Sequence, residues 1–255
     1  MTPTYSAPAL EKALDILELL AESDSPLSQS GIAESLDRSV GEIFRVLQTL
    51  ERRAYVLRDP ASGLYTLSLR LFDLAHRHAP LRGLVQAALH PMRNLAAEIQ
   101  QSCNLAVLDG YECRVVAQVE SPADFGFHVR VGAAFSLTST ATGATLMAFA
   151  ADEVRSAWES GLPGSAPTNH FRELMDRARS DGYVEIDDAL RPGIVDVAFP
   201  IFGAHQTAVA ALTVPYVATS FSKVDGVSAR SRTAAAAQEL SRRLQALPAD
   251  QGRRG

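Results

Sequence analysis

The constraint that shapes everything else in this chain is Ser39-Val40-Gly41-Glu42, a serine followed three residues later by a glutamate. In such a capping box the hydroxyl takes the amide of the third helical residue and the carboxylate reaches back to the serine amide, so a helix starts at Ser39. At 100° per residue, Ile43, Val46, Leu47 and Leu50 fall on one side, whereas Gly41, Phe44, Arg45, Gln48, Thr49 and Arg52 fall on the other. A merely solvated face would mix Glu with Lys four residues apart. This one instead carries Arg45 and Gln48, types that fork onto base edges, and Arg52, placed for a phosphate. Glycine in a helix costs about 1 kcal/mol against alanine, so Gly41 asks for a reason, and close approach to a partner is one.

The segments before this helix complete a pattern. Leu10, Ala13, Leu14, Leu17, Leu20 and Ala21 recur with helical spacing and predict a first helix with an acidic outer face. Pro26 breaks the chain, and Ser28 caps a short second helix, Gln29 to Leu36, with Ile32, Ala33 and Leu36 inward. Asp37-Arg38 makes the turn into the third helix, which is the helix-turn-helix order, where the last helix lies in the major groove. Two short strands, Ala54 to Arg58 and Leu64 to Leu67, flank a Pro60/Gly63 turn and form a hairpin wing that brings Arg58 toward flanking phosphates.

Charge distribution agrees. The whole chain carries a net charge of −5, which argues against a general nucleic-acid coat. From Glu11 to Asp37, however, one base faces seven acids, while from Arg38 to Arg58 five arginines face two glutamates, a local excess of +3. A positive face on an acidic protein suits contact with double-stranded DNA at specific sites. The first 24 residues interleave Glu11, Lys12, Asp15, Glu18 and Glu22 with leucines, and no apolar run approaches membrane-spanning length, so neither a secretory leader nor a membrane segment is expected and the chain is placed in the cytoplasm.

At 255 residues and 47% apolar content the chain has room for two domains. Ser68 to His78 reads as a connecting helix; His76 and His78 stand two apart, off a shared helix face, and make no metal pair. A long helix, Leu81 to Gln101, precedes strands at Cys103 to Leu108, Glu112 to Glu120 and Phe127 to Val131. Helices over Thr138 to Ala151 and Asp152 to Glu159 follow, then a Gly/Pro/Ser loop at 161–168 and a helix ending near Asp181-Gly182. Strands at Tyr183 to Asp187, Ile194 to Phe202 and Ala208 to Pro215 precede a closing helix, Lys223 to Ala246. That order describes an α+β domain with a mostly antiparallel sheet. A two-residue Asp109-Gly110 loop pairs Ala106 with Cys113 and Cys103 with Val116, out of register for a disulfide, so both cysteines are expected buried and free.

In these motifs the chain resembles the IclR family of bacterial transcriptional regulators. The resemblance rests on the helix-turn-helix, on Arg45-Val46-Leu47-Gln48-Thr49-Leu50 and on the hairpin. It continues through Thr140-Ala141-x-Gly143, Ser180-Asp181-Gly182-Tyr183, Gly193-Ile194, Ala198-Phe199-Pro200-Ile201 and Ala210-Ala211-Leu212-Thr213. It implies a winged helix-turn-helix DNA-binding domain at 8–68, a connector helix at 69–80 and a GAF/PAS-like effector domain at 81–247. It also implies a palindromic operator, a small-molecule effector, often an organic acid, and homodimers or homotetramers, with repression and activation both open. Three positions depart from the family pattern: Ala54 stands where glycine is common, Asp196 where cysteine is, and Pro215 where serine is.

In the effector domain, a helix opening with Thr138-Ser139-Thr140 offers amides and hydroxyls to a carboxylate, and Arg130-Val131-Gly132-Ala133 offers a cation and a close backbone. The expected ligand set is Arg130, Gly132, Ala133, Thr140, Asp196 and Thr213. Asp196, within an apolar strand, is costly unless partnered, and facing the pocket it favours a hydroxyl, amine or metal on the ligand over a bare carboxylate. For DNA the set is Ser39, Gly41, Phe44, Arg45, Gln48, Thr49, Arg52 and Arg58. No enzyme is expected: Ser220-Phe221-Ser222-Lys223 matches Ser-x-x-Lys without its companion motifs, and no phosphate loop, nucleophile elbow or zinc-protease motif occurs. No cofactor or metal is expected either. The competing class is a protein-interaction module that uses the helix-turn-helix without DNA.

Overall fold

A computed structural model describes residues 7–77, 79–124, 126–161, 168–187, 192–203, 206–219 and 222–246. The chain divides into two compact units, Met1–Ala79 and Pro80–Gly255.

In the first unit, α1 (Pro8–Glu22), α2 (Gln29–Ser35) and α3 (Val40–Arg52) pack Ile16, Leu17, Leu20, Ile32, Ala33, Ile43, Leu47 and Leu50 against Val56 and Tyr65. The buried stripe of α1 is rotated from the expected one. Ile16 is fully buried while Leu10 and Leu14 are 59% and 48% exposed, because α3 and the wing cover only the Ile16–Leu20 side of the helix. The wing, β1 (Val56–Arg58) and β2 (Tyr65–Leu67), is antiparallel, and Leu27, just before α2, joins it through paired main-chain bonds to Tyr65 at 2.7 and 3.0 Å. Within its turn the Asp59 carboxylate accepts the Ala61 and Ser62 amides, and Gly63 takes φ +71°. Then follows α4 (Arg70–Arg77). His78 lies outside the described residues.

Where α3 ends, Ala54 takes φ +60° and its amide donates to the Glu51 carbonyl at 2.9 Å. An L-residue with a Cβ pays about 1–2 kcal/mol in this region, and glycine does not. Ala54→Gly is therefore expected to raise the first unit's stability by about 1 kcal/mol in chemical denaturation followed by circular dichroism, less the backbone entropy glycine adds to the unfolded chain.

The second unit is built on one antiparallel sheet in the order β5-β4-β3-β8-β7-β6. Its strands are β3 (Cys103–Asp109), β4 (Glu112–Val119), β5 (Ala134–Ser136), β6 (Val184–Asp187), β7 (Ile194–Phe202) and β8 (Ala208–Val217). Alternation along the strands sends Cys103, Leu105, Val197, Phe199 and Leu212 to one face, under α5 (Ala79–Ile99) and α9 (Gly226–Ala246). Ala106, Val115, Ala198 and Ala211 go to the other, under α6 (Ala141–Ala148), α7 (Asp152–Gly161) and α8 (Asn169–Asp181). Gly182 closes α8 at φ +84°.

Three expectations are corrected. The β3–β4 loop is Gly110-Tyr111, which pairs Leu108 with Cys113, and a register shift after Leu105 sets Cys103 opposite Val119; both cysteines are buried and free. Phe127 to Val131 is no strand: the Val129 amide donates to the Gln118 side-chain oxygen at 2.9 Å instead of joining a ladder, and the edge strand is β5. The helix expected from Thr138 begins at Ala141, after a 3-10 turn at Leu137–Ser139, with Thr140 as its cap at 3.0 Å from the Gly143 amide. Most of the Gly/Pro/Ser loop and the start of the Ser-x-x-Lys motif, Ser220-Phe221, lie outside the described residues.

Candidate DNA-binding face and ligand cavity

The capping box of α3 forms as its sequence requires. The Ser39 hydroxyl and amide donate to Glu42 Oε2 at 2.8 and 2.9 Å, and the Glu42 amide donates back at 3.4 Å. Lys12 adds an ion pair to Glu42 at 3.2 Å. Hydrogen bonds from the Ser39 amide and hydroxyl, with the Lys12 ammonium beside it, bring the Glu42 carboxyl down from 4.5 to about 2. A depressed folded-state value means that this stabilisation is complete above pH 4.5 and disappears as pH falls through about 2. The melting-temperature gap between wild type and Glu42→Ala is accordingly expected to close between those two pH values; a constant gap contradicts the ionic cap.

Beyond the cap, Gly41, Phe44, Arg45, Gln48, Thr49 and Arg52 are all exposed, and Ile43, Leu47 and Leu50 are buried beneath them. Arg45, Gln48, Thr49, Glu51 and Arg52 border one open depression. Neither Arg45 nor Arg52 is in an ion pair with a described residue, whereas nearby Arg38 is tied to Asp15 at 3.0 Å. Two expected contacts are spoken for within the protein: the Ser39 hydroxyl serves the cap, and the Thr49 hydroxyl donates to the Arg45 carbonyl at 2.9 Å. On the wing, the Arg58 guanidinium lies 5.5 Å over the Tyr65 ring and donates to the Gly63 carbonyl at 3.4 Å, which holds its charge at the hairpin.

In the second unit a cavity of about 390 Å³ lies between the sheet and the start of α6. Of the expected ligand residues Thr140, Asp196 and Thr213 line it, and Arg130, Gly132 and Ala133 do not. Those three sit in a surface turn whose backbone is already used: Gly132 (φ +89°) donates to the Val115 carbonyl and accepts Arg114 Nη1 at 3.1 Å, and the Ala133 carbonyl takes the Val115 amide. Arg130 is exposed.

Pro215, one of the three departures from the family pattern, also lines the cavity, as do Asn104, Cys113 and Thr142, which the sequence did not mark as ligand residues. Asn104 is two residues from Ala106, so strand alternation was the available signal. The Thr142 and Thr213 hydroxyls bond at 2.8 Å, tying α6 to β8. Burial pushes the Cys113 thiol up, and it pushes Cys103, on the opposite face, to about 12, so neither is a nucleophile at neutral pH. A second, wider cavity of about 810 Å³ opens beside Gln101, Gly193 and Lys223. No group of three metal-ligating side chains occurs among the described residues. No helix among them is long and apolar enough to cross a membrane.

Comparison with known proteins agrees with this geometry. Residues 9–60 match the IclR helix-turn-helix domain, and residues 78–242 match the bacterial transcriptional regulator IclR C-terminal domain. The chain is 30% identical over 211 residues to the glycerol operon regulatory protein of Streptomyces griseus, covering 81% of this chain and 83% of that one. It is 26% identical over 225 residues to the HTH-type transcriptional regulator KdgR of Escherichia coli (strain K12), covering 86% and 85%. Among solved structures, an IclR homologue from Microbacterium hydrocarbonoxydans complexed with 4-hydroxybenzoate shares the fold, with a TM-score of 0.74 at 22% identity over 94% of this chain and 100% of that one. The chain thus belongs to the IclR family, transcriptional regulators that join a helix-turn-helix DNA-binding domain to a C-terminal effector domain.

Proposed function

We propose that this chain is a cytoplasmic, homodimeric regulator of a catabolic operon that reads a palindromic operator with α3 and responds to a small organic acid held in the 390 Å³ cavity. The observation that carries the DNA reading is the division of α3 into a buried Ile43/Leu47/Leu50 side and an outer side whose arginines have no partner among the described residues. In the assigned roles Gly41, Arg45 and Gln48 meet base edges, and Arg52 and Arg58 hold phosphates on either side. A second copy is expected to cover Leu10 and Leu14 of α1, together with Leu69, which is 80% exposed.

For the effector, the α6 opening supports a carboxylate: Ser136, Ser139 and Thr140 border the cavity at the N-terminal end of that helix. Asp196, on the same wall system, suits a hydroxyl on that acid, and the 4-hydroxybenzoate in the structural neighbour is a hydroxy acid. Footprinting on the chain's own promoter region across a salt series tests the DNA reading, with affinity expected to fall steeply as salt rises. Thermal shift of the full chain with paired acids that differ by one hydroxyl tests the effector. Protection that is absent or insensitive to salt contradicts the first reading; equal shifts from both members of every pair, unchanged by Asp196→Ala, contradict the second.

A further inference from the structure

On α3, two large apolar side chains are left facing solvent. Val40 is 47% exposed and Phe44 46%, whereas every other large aliphatic residue of that helix is buried or half-buried. They are four residues apart and continue at the same interval into Gln48, so the three form one edge of the helix beside the Gly41, Arg45 and Arg52 line. The Arg45–Arg52 line selects a polyanion as the occupant of this face, which argues against an apolar protein surface. A polar or charged residue at 44 would be the cheaper choice on a solvated helix.

In the major groove the edges of the base pairs present hydrogen-bond donors and acceptors almost everywhere; the apolar feature is the C5-methyl of thymine. We infer that Phe44, supported by Val40, reads a thymine methyl in each half-site, next to the base contacted by Gln48 or Arg45. This assignment rests on the DNA reading proposed above and adds to it a sequence requirement that no hydrogen bond supplies. Phe44 thereby becomes a specificity-determining residue, and the operator must contain a thymine at that step.

The test uses the full-length protein and a duplex enriched by it from a random pool. Each thymine of the enriched half-site is replaced singly by deoxyuridine, which keeps every hydrogen bond and removes only the methyl. For wild type, one thymine per half-site is expected to show about a fourfold rise in Kd on losing its methyl, the value of one buried carbon. Phe44→Ala is expected to abolish that difference and Phe44→Leu to keep part of it, while circular dichroism of both variants stays native because the side chain is not in the core. A half-site without thymine, or a deoxyuridine penalty that is the same in wild type and Phe44→Ala, overturns the inference and leaves the operator reading standing. Failure to enrich any sequence overturns both.

Discussion

Arg45→Ala is expected to cost about 1–3 kcal/mol against the cognate operator and to flatten preference at the base it contacts, while binding to a scrambled duplex changes much less. The side chain is exposed and pairs with no described acid, so the thermal stability of the first unit is expected to stay within about 0.5 kcal/mol of wild type. Arg52→Ala, about two turns along the same face, is expected to remove a phosphate contact instead. It is expected to weaken all sequences alike and to lower the slope of log K against log salt by about one. Gel-shift titrations of both variants on cognate and scrambled duplexes separate the two roles. Identical losses from both variants on both duplexes contradict the division of labour along α3.

The second large effect concerns the first turn of α6, beside the 390 Å³ cavity. A Cβ on Gly143 would lie 2.1 Å from the Leu137 carbonyl oxygen and 2.5 Å from its Cα, far inside ordinary carbon contact distance. The obstacle is main chain on a fully buried residue, so no side chain can swing aside. Gly143→Ala is expected to destabilise the second unit by about 3 kcal/mol or more, the upper range for overpacking. Because the Gly143 amide also bonds the Thr140 hydroxyl, a variant that survives would have a displaced cavity rim. The chain's single tryptophan reports on this unit alone: Trp158 is buried in α7, with its ring 5.7 Å from Phe171. Its emission during urea titration should move to a lower midpoint in Gly143→Ala, and an unchanged midpoint would show that α6 and the 3-10 turn are not packed as described.

The helix-turn-helix was legible because local and tertiary requirements coincide there. The Ser39/Glu42 box fixes where α3 starts, and periodicity then leaves one choice of inner face. Even Ala54, noted as a departure, sits in the backbone region that favours glycine. In α1 the leucines are spread so widely that periodicity alone did not choose between the Leu10/Leu14 side and the Ile16/Leu20 side; contacts with α3 and the wing decided it. The stretch from Phe127 to Val131 alternates like a strand, yet its amide at Val129 is met by the Gln118 side chain, a long-range pairing no local pattern announces. Arg130 carries a charge suited to a carboxylate, but charge does not say which way a loop residue points. Asn104 is the opposite case: a polar residue in a strand looks like an outward one, whereas here it is 7% exposed and lines the cavity.

Gly41 bears most directly on what the outer face of α3 is for. A Cβ built there meets nothing within 4 Å, so the protein itself gives no reason for glycine at that position. Gly41→Ala should then make the folded first unit more stable, by up to about 1 kcal/mol from helix propensity. If α3 lies in the groove with its backbone close to the duplex, the same change lowers operator affinity by about tenfold or more even as the melting temperature rises. A variant that is more stable and binds its operator as tightly as wild type contradicts that placement.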